Sequence, residues 1–170
     1  MKGALLVIDM QNDYLWGKRM SKFSYDTEGL VKAVNKAIAD YRELGYDIIY
    51  IAQMFPNIFT NKWFIGFSIK GTPGANLYSG MDIASDLYFE KNLPDTYTSR
   101  DFREFMAKAG YSEVVLCGLD ECGCVGATAK GAVKTGVKVK MLKDCIGSRF
   151  PEKKVQKMRS KLAALGVEYI

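Results

Sequence analysis

Three reactive side chains stand at the ends of short apolar segments in this 170-residue chain. Asp9 ends the apolar run at residues 4–8, Lys91 ends the segment 86–90, and Cys124 comes soon after the segment 113–117. A carboxylate can accept a thiol proton, an ammonium can stabilise the resulting thiolate, and a thiolate can attack a carbonyl carbon. Together these residues predict covalent acyl-enzyme hydrolysis that needs no metal and no cofactor.

The chain contains no histidine. This excludes the Ser-His-Asp and Cys-His catalytic schemes, most catalytic zinc sites and the 2-His-1-carboxylate iron sites. The cysteines do not show the paired C-x2-C spacing of structural zinc sites, so no metal site is predicted. Because the apolar run at 4–8 is too short for a secretory signal, we expect free thiols rather than disulfides. The four cysteines are Cys117, Cys122, Cys124 and Cys145.

Each candidate also has an ordinary structural interpretation. An aspartate such as Asp9 at a strand end is often a turn former, and a lysine such as Lys91 is usually solvated. Cys124 could be a small buried residue where a helix approaches a sheet. Position alone also leaves Cys122 as a competing nucleophile.

Apolar runs alternate with amphipathic stretches along the chain. This alternation predicts a three-layer α/β/α fold, with a doubly wound, six-stranded parallel sheet of the Rossmann-like kind, in a single domain over residues 1–170. Ligands bind beyond the carboxyl ends of such strands, so the three reactive residues are expected to converge. The predicted strands are 4–8, 47–52, 86–90, 113–117, 137–142 and 167–170, and the predicted helices are 27–44, 99–109, 121–134 and 151–165.

Charge and hydropathy limit the partners. The net charge is +5, and residues 130–161 hold eleven Lys or Arg against Asp144 and Glu152. We interpret this excess as solvated helix faces rather than a nucleic-acid surface, because no series of aromatic residues interleaves with it to stack bases and Phe150 stands alone. No uncharged apolar stretch approaches the length of a membrane span, which predicts a soluble cytoplasmic protein.

Several segments resemble the isochorismatase-like cysteine hydrolases, the superfamily that includes nicotinamidases and N-carbamoylsarcosine amidase. The resemblance runs nearly from end to end with consistent spacing. The matching segments are ALLVIDMQNDY at 4–14, GTPGA at 71–75, FEK at 89–91, GLDECGCVGATA at 118–129 and DCIGSR at 144–149.

The resemblance places a catalytic triad on Asp9, Lys91 and Cys124, and its glycine spacing selects Cys124 over Cys122. It also implies a cis peptide bond between Leu119 and Asp120. That bond would turn the Asp120 N–H toward an oxyanion, beside the N–H of Cys124.

The resemblance further implies a homo-oligomer, either a dimer or a tetramer, and an aromatic substrate pocket. Tyr14 falls where nicotinamidases place a ring against the substrate, and Trp63 or Phe64 falls near a second such position. Residues 53–84 lack a clear period and are expected to cover the site. We interpret four other aromatic residues as cover or oligomer contacts, namely Trp16, Phe55, Phe59 and Phe67.

Two departures from the family pattern affect the predicted chemistry. Metal-dependent nicotinamidases have an Asp-x-His-Pro segment after the second strand, whereas this chain has Gln53 and Phe55 at the Asp and His positions. This predicts that the metal site is absent and counts against nicotinamidase activity. Glu121 stands where the family often has threonine, and it would disfavour anionic substrates if its side chain pointed into the pocket.

The main hypothesis is therefore a metal-independent cysteine hydrolase that cleaves the C–N bond of a small amide or carbamoyl compound. Its only predicted partners are that small molecule and other copies of the chain. One alternative is vinyl-ether hydrolysis of the isochorismatase type, in which Asp9 protonates the substrate and Cys124 is a bystander. Another is a redox sensor or scaffold on the same fold, suggested by the nearby thiols of Cys117, Cys122 and Cys124.

Overall fold

One six-stranded sheet forms the centre of the computed structural model, which describes residues 2–170. Every neighbouring pair of strands is parallel, which confirms the predicted doubly wound α/β fold. The strand order is β3-β2-β1-β4-β5-β6, so the chain winds outward from β1 in both directions. The strands are β1 (Gly3–Ile8), β2 (Asp47–Gln53), β3 (Tyr88–Lys91), β4 (Glu113–Leu119), β5 (Lys138–Gly147) and β6 (Glu168–Tyr169).

Helices cover both faces of this sheet. One face packs against α2, and the other packs against α4, α5 and α6. Among the helices within residues 2–170, none is both long enough and apolar enough to cross a membrane. The helices are α1 (Asn12–Leu15), α2 (Thr27–Glu43), α3 (Phe59–Phe64), α4 (Arg100–Ala109), α5 (Cys124–Val133) and α6 (Glu152–Ala163), with 3-10 turns at Pro73–Ala75 and Thr96–Thr98.

The central strand β1 contributes to both hydrophobic cores. Leu6 and Ile8 pack into the core beneath α4, α5 and α6, whereas Leu5 and Val7 pack into the core beneath α2. All six residues of β1 are buried. A strand covered on both faces carries an unbroken apolar run, which is why this segment was recognisable from sequence.

Two boundaries near the strand ends differ from the predicted ones. Lys91 is the last residue of β3 rather than the residue after it. Helix α5 begins at Cys124 rather than Glu121, because Gly123 has the non-helical dihedral angles φ −120° and ψ −116°. Cys124 is therefore the first helical residue, where backbone N–H groups lack intrahelical acceptors.

Strand β5 is longer than predicted. Met141 pairs with Leu116 of β4, but the next recorded pair joins Ile146 to Gly118, so the register shifts between them. An irregular register breaks the regular alternation of side chains along a strand. For this reason the sequence pattern did not predict the second half of β5. The segment 53–84 also contains more structure than expected, including α3 and the first 3-10 turn.

Candidate active site

Three neighbouring strand ends bring Asp9, Gln53 and Lys91 together. Asp9 directly follows β1, and Gln53 and Lys91 are paired residues at the ends of β2 and β3. The Nζ of Lys91 donates to Asp9 Oδ2 at 2.9 Å and to Gln53 Oε1 at 2.9 Å. All three residues are buried, with at most 4% of their surface exposed. The sheet thus builds a compact polar cluster at its carboxyl edge.

The backbone turns sharply at Asp9. Its φ of 54° lies in the left-handed region, which a non-glycine residue rarely adopts. Its N–H donates to the carbonyl of Ile51 at 2.8 Å. Asp9 is therefore still hydrogen-bonded to β2 although its own backbone already turns away from the strand. Such a conformation persists only where surrounding contacts enforce it, and it is most common at functional sites.

Gln11 fixes the end of β2. Its Nε2 donates to the carbonyl of Gln53 at 3.0 Å, and its Oε1 accepts from the N–H of Gln53 at 2.9 Å. Gln11 is completely buried, and its Nε2 also donates to the carbonyl of Ala75 at 2.6 Å. Both the backbone N–H and the backbone carbonyl of Gln53 are therefore hydrogen-bonded to the Gln11 side chain.

Cys124 meets the same carboxylate from the start of α5. Asp9 Oδ1 has no hydrogen-bond partner among residues 2–170, and the negative charge of the carboxylate acts on the Cys124 thiol. Burial raises the pKa of Cys124, the negative charge of Asp9 raises it further, and Lys91 opposes both effects without overcoming them. Lys91 thus favours the thiolate, as an ammonium should, but burial and Asp9 outweigh it and the thiol of the resting site is protonated.

The ammonium of Lys91 stays charged in this environment. Burial alone would lower its pKa, but the adjacent Asp9 carboxylate and the Cys124 group raise it above the ordinary lysine value. The resting cluster is therefore a neutral thiol beside a buried carboxylate and ammonium pair. A proton that moves from Cys124 to Asp9 leaves the total charge of the cluster unchanged.

The predicted cis peptide bond joins Leu119 to Asp120. Both carboxylate oxygens of Asp120 are engaged, since Oδ2 accepts from the Tyr25 hydroxyl at 3.0 Å and from the Arg149 N–H at 2.8 Å, while Oδ1 accepts from the Cys122 N–H at 2.9 Å. This side chain therefore ties together three segments at the rim of the site.

Gly118 allows β4 to approach β1 just below the reactive cluster. Its φ is +105°, and a Cβ at this position would overlap the carbonyl oxygen of Ile8. Ile8 directly precedes Asp9, so a side chain at position 118 would displace the turn that carries the carboxylate. Only glycine adopts this positive φ without strain and also leaves room for the carbonyl oxygen of Ile8.

A cavity of about 390 Å³ lies above this cluster. Asp9, Gln53 and Cys124 contribute to its lining, together with Asn92, Leu93 and Pro94 on one side. Its aromatic walls are Tyr14, Phe23, Tyr25, Phe55 and Phe67. Tyr14, whose ring is predicted to lie against the substrate, is among these lining residues, and its hydroxyl accepts from the Ser68 hydroxyl at 2.8 Å.

Trp63 and Phe64, the other predicted wall residues, lie outside this cavity. They are 74% and 81% exposed on α3, a six-residue helix in which no residue is buried. Phe55 and Phe67 line the cavity instead, although they were expected to be cover or oligomer contacts. The reason is a bridge between Phe55 and Ile69, which folds the segment back and leaves α3 on the outer side.

Glu121 does not point into the cavity. Its carboxylate forms a two-pronged ion pair with Arg159 of α6, with N···O distances of 2.6 and 2.7 Å, and only 1% of Glu121 is exposed. Arg149 is the basic side chain of the cavity lining, which also includes the acidic residues Asp9 and Asp120, and its guanidinium lies 5.5 Å from the Phe23 ring centroid. Within residues 2–170 no carboxylate forms an ion pair with Arg149.

Sequence reasoning missed Arg149, Phe23, Tyr25 and Gln53 as cavity residues. The matched segment at 144–149 contained a signal for Arg149, because it follows the predicted fifth strand. Phe23 and Tyr25 lie in a connecting segment without periodicity, and their contribution depends on the observed path of the chain. All four cysteines are free, and Cys122 does not line the cavity.

Comparison with known proteins identifies the group to which this chain belongs. A model of the isochorismatase domain matches residues 3–170. The chain belongs to the isochorismatase family. This confirms the predicted resemblance, together with the prediction of a hydrolase of this kind.

Curated relatives of this isochorismatase-family protein have low sequence identity to it but match most of its length. An uncharacterised isochorismatase family protein of Bacillus subtilis is 24% identical over 145 residues, which cover 85% of this chain and 77% of the relative. A probable inactive nicotinamidase of Arabidopsis thaliana is 25% identical over 162 residues, which cover 88% of this chain and 82% of the relative.

Solved structures share the fold. The pyrazinamidase of Pyrococcus horikoshii in complex with zinc superposes with a TM-score of 0.85 at 22% identity, covering 100% of this chain and 99% of the other. The N-carbamoylsarcosine amidase of Thermoplasma acidophilum superposes with a TM-score of 0.82 at 23% identity, covering 99% and 95%.

The residues of this family member do not fit a zinc ion. Gln53 turns its carboxamide oxygen to Lys91, and Phe55 presents an apolar ring to the cavity. Among residues 2–170 no group of three or more His, Cys, Asp or Glu side chains is placed so that it could hold a metal ion. Zinc requires nitrogen, thiolate or carboxylate ligands, which a carboxamide N–H and a phenyl ring cannot supply.

Proposed function

We propose that this protein hydrolyses the C–N bond of a small amide or carbamoyl compound through a covalent intermediate on Cys124. The observation that supports this most directly is the meeting of Asp9, Lys91 and Cys124 at one cavity, which Asp9 and Cys124 line and beneath which Lys91 bonds to Asp9. Membership of the isochorismatase family and the fold shared with an amidase support the same reaction class.

The first half of the reaction forms a thioester. The Cys124 thiol transfers its proton to Asp9, and the thiolate attacks the substrate carbonyl carbon while Lys91 balances the negative charge. The N–H groups of Asp120 and Cys124 hold the oxyanion. Asp9 then gives the proton to the departing nitrogen, and the C–N bond breaks.

The second half releases the acid. A water molecule enters the space left by the amine and transfers a proton to Asp9 as its oxygen attacks the thioester carbon. The C–S bond breaks, and the proton returns from Asp9 to the Cys124 sulfur. One water is consumed for each amide bond cleaved, and every step uses groups that are present in this chain.

The cavity wall suggests the kind of substrate. Five aromatic rings favour a flat or compact molecule, and Arg149 places a positive charge on the wall without a paired carboxylate. Since Glu121 is turned toward Arg159, it does not repel an anion. We propose a small amide that carries a carboxylate, with the carboxylate beside Arg149.

Vinyl-ether hydrolysis is the second candidate, and one observation favours it. The raised pKa of Cys124 leaves a protonated thiol in the resting site, which suits a bystander as well as a nucleophile. In that reaction Asp9 would protonate the substrate. The two candidates differ in whether Cys124 is required.

A substrate panel tests both candidates. Nicotinamide, pyrazinamide, N-carbamoylsarcosine and isochorismate would be offered to the wild type, to Cys124→Ala and to Cys122→Ala as a matched thiol control. We expect ammonia release from an amide that Cys124→Ala abolishes and Cys122→Ala retains. Amide turnover that survives in Cys124→Ala would refute the covalent mechanism, and isochorismate turnover that survives there would establish the second candidate.

A further inference from the structure

The orientation of the Gln53 carboxamide is determined by Lys91. An ammonium group has donors and no acceptor, so the carboxamide oxygen must face it and the Nε2 must face the other way. The observed contact agrees, with Lys91 Nζ donating to Gln53 Oε1 at 2.9 Å. The direction of the Gln53 amide group is therefore fixed by its neighbour.

The opposite end of this carboxamide lacks a partner. Gln53 is only 4% exposed and lines the cavity, and its Nε2 has no hydrogen-bond acceptor among residues 2–170. Buried donors are nearly always paired, so an orphan in a cavity calls for an acceptor from elsewhere. Gln11 holds the backbone of Gln53 on both sides, so this residue cannot easily move to find one.

Gln53 and Asp9 together present a complementary pair to the cavity. Both bond to Lys91 through one oxygen, and each has one remaining buried polar atom without a nitrogen or oxygen partner: the donor Nε2 of Gln53 and the acceptor Oδ1 of Asp9. In the proposed reaction Asp9 Oδ1 accepts the proton of the Cys124 thiol. Nothing in that reaction uses the donor on Gln53.

We propose that Gln53 is a substrate-binding residue whose Nε2 donates a hydrogen bond to the substrate. The pocket would then select compounds with an acceptor oxygen or nitrogen close to the atom that Cys124 attacks. This inference rests on the proposed function, because it takes Cys124 as the attacking group. A compound of the same shape without the acceptor leaves the donor buried and unpaired, and it binds less well.

A purely positioning role for Gln53 would act through Lys91 instead. Gln53→Glu separates the two roles, because glutamate keeps an oxygen for Lys91 and loses the donor. Gln53→Met has nearly the same length and loses both groups, which provides a second variant if the added charge disturbs folding. Gln156→Glu makes the same chemical change on the exposed surface of α6 and serves as the control.

The test compares two alkylating reagents on Cys124. Iodoacetamide carries a carbonyl acceptor, whereas 1-iodopropane has a similar size and lacks one. Each rate would be read by peptide mass spectrometry and divided by the rate at Cys122 in the same protein. Both reagents react with the thiolate of Cys124, so the ratio of their two rates does not depend on the fraction of Cys124 that is ionised. A substitution beside Lys91 would alter that fraction but not the ratio.

We expect the wild-type ratio to favour iodoacetamide, and we expect it to fall about tenfold in Gln53→Glu and Gln53→Met, as the loss of one buried hydrogen bond implies. Gln156→Glu should keep the wild-type ratio. An unchanged ratio in both Gln53 variants would overturn the proposal, even if both reagents react more slowly. Failure of the proposed function looks different, since Cys124→Ala would then retain amide turnover.

Discussion

Asp9 lies between Lys91 and Cys124 electrostatically: its Oδ2 accepts from Lys91 at 2.9 Å, its Oδ1 has no hydrogen-bond partner among residues 2–170, and its negative charge acts on the Cys124 thiol. The same carboxylate therefore raises the pKa of the thiol and is the group placed to take its proton. Reactivity of the free enzyme and turnover of substrate should consequently respond to Asp9 in opposite directions.

Asp9→Asn is expected to speed alkylation of Cys124 while abolishing amide hydrolysis. Removing the negative charge lowers the pKa of Cys124, since only burial then opposes Lys91, and more thiolate is present at pH 7. We expect at least a tenfold faster reaction with iodoacetamide. In the wild type, whose Cys124 pKa is raised, the rate should be low at neutral pH and climb through the alkaline range.

The comparison uses pH–rate profiles of both proteins, with Asp101→Asn on the exposed surface of α4 as a control for lost charge. Because Asp9→Asn leaves Lys91 buried without its partner, thermal unfolding should first show that the variant is folded. A Cys124 that reacts more slowly in folded Asp9→Asn would contradict the assigned role of the carboxylate.

Gly118→Ala is expected to destabilise the fold and to impair the site. The new Cβ would overlap the carbonyl oxygen of Ile8, and the φ of +105° is unfavourable for alanine. Gly136→Ala is a matched control, since its φ of +79° is also positive but nothing lies within 4 Å of the new Cβ. We expect the control to lose about 1 kcal/mol of unfolding free energy and Gly118→Ala to lose clearly more.

Chemical denaturation would measure both variants, and alkylation of Cys124 would report on the site. Equal losses in the two variants would show that the close approach of β4 to β1 adds nothing to the backbone strain.

Arg159→Met is expected to cost about 3 kcal/mol of stability without altering the reactivity of Cys124. It leaves the carboxylate of Glu121 buried and unpaired, since that residue is only 1% exposed. Lys161→Met on the same helix removes an exposed charge and should change stability by less than about 0.5 kcal/mol. Urea denaturation and iodoacetamide rates would be measured together, and a changed Cys124 rate would place Glu121 in contact with the site after all.

Arg149→Met is expected to weaken binding of carboxylate-bearing amides selectively. Its guanidinium lines the cavity over the Phe23 ring, and methionine keeps much of the apolar stem while removing the charge. KM for an amide substrate that carries a carboxylate should rise about tenfold or more, while KM for a neutral amide substrate should change little. If both KM values rise equally, Arg149 contributes to the shape of the cavity wall and does not bind the substrate carboxylate.

The catalytic candidates were predictable because a simple topological rule links them. Asp9, Lys91 and Cys124 all lie near carboxyl ends of parallel strands, and the order of β1, β2, β3 and β4 brings those ends together. The alternating apolar segments also identified the fold. Both signals depend on local sequence pattern and on the regular geometry of a sheet.

The cavity walls could not be predicted in the same way. Trp63 and Phe64 lie in a segment without periodicity, and only the bridge between Phe55 and Ile69 decides which aromatic residues turn inward. The raised pKa of Cys124 was not predictable either, because the sequence shows a lysine that favours the thiolate but not the depth of burial that opposes it. Both quantities depend on tertiary packing.

The double hydrogen bond from Gln11 to the backbone of Gln53 has a consequence for engineering. The excursion between β2 and β3 begins just after this clamp at Met54, whose N–H donates to the carbonyl of Lys91 at the end of β3 at 2.7 Å. The reactive cluster is thus anchored independently of most of the loop that shapes the walls. Residues 56–74 should accept exchange with the matching loops of relatives, which would make this chain a scaffold for changing selectivity while retaining the reactive cluster.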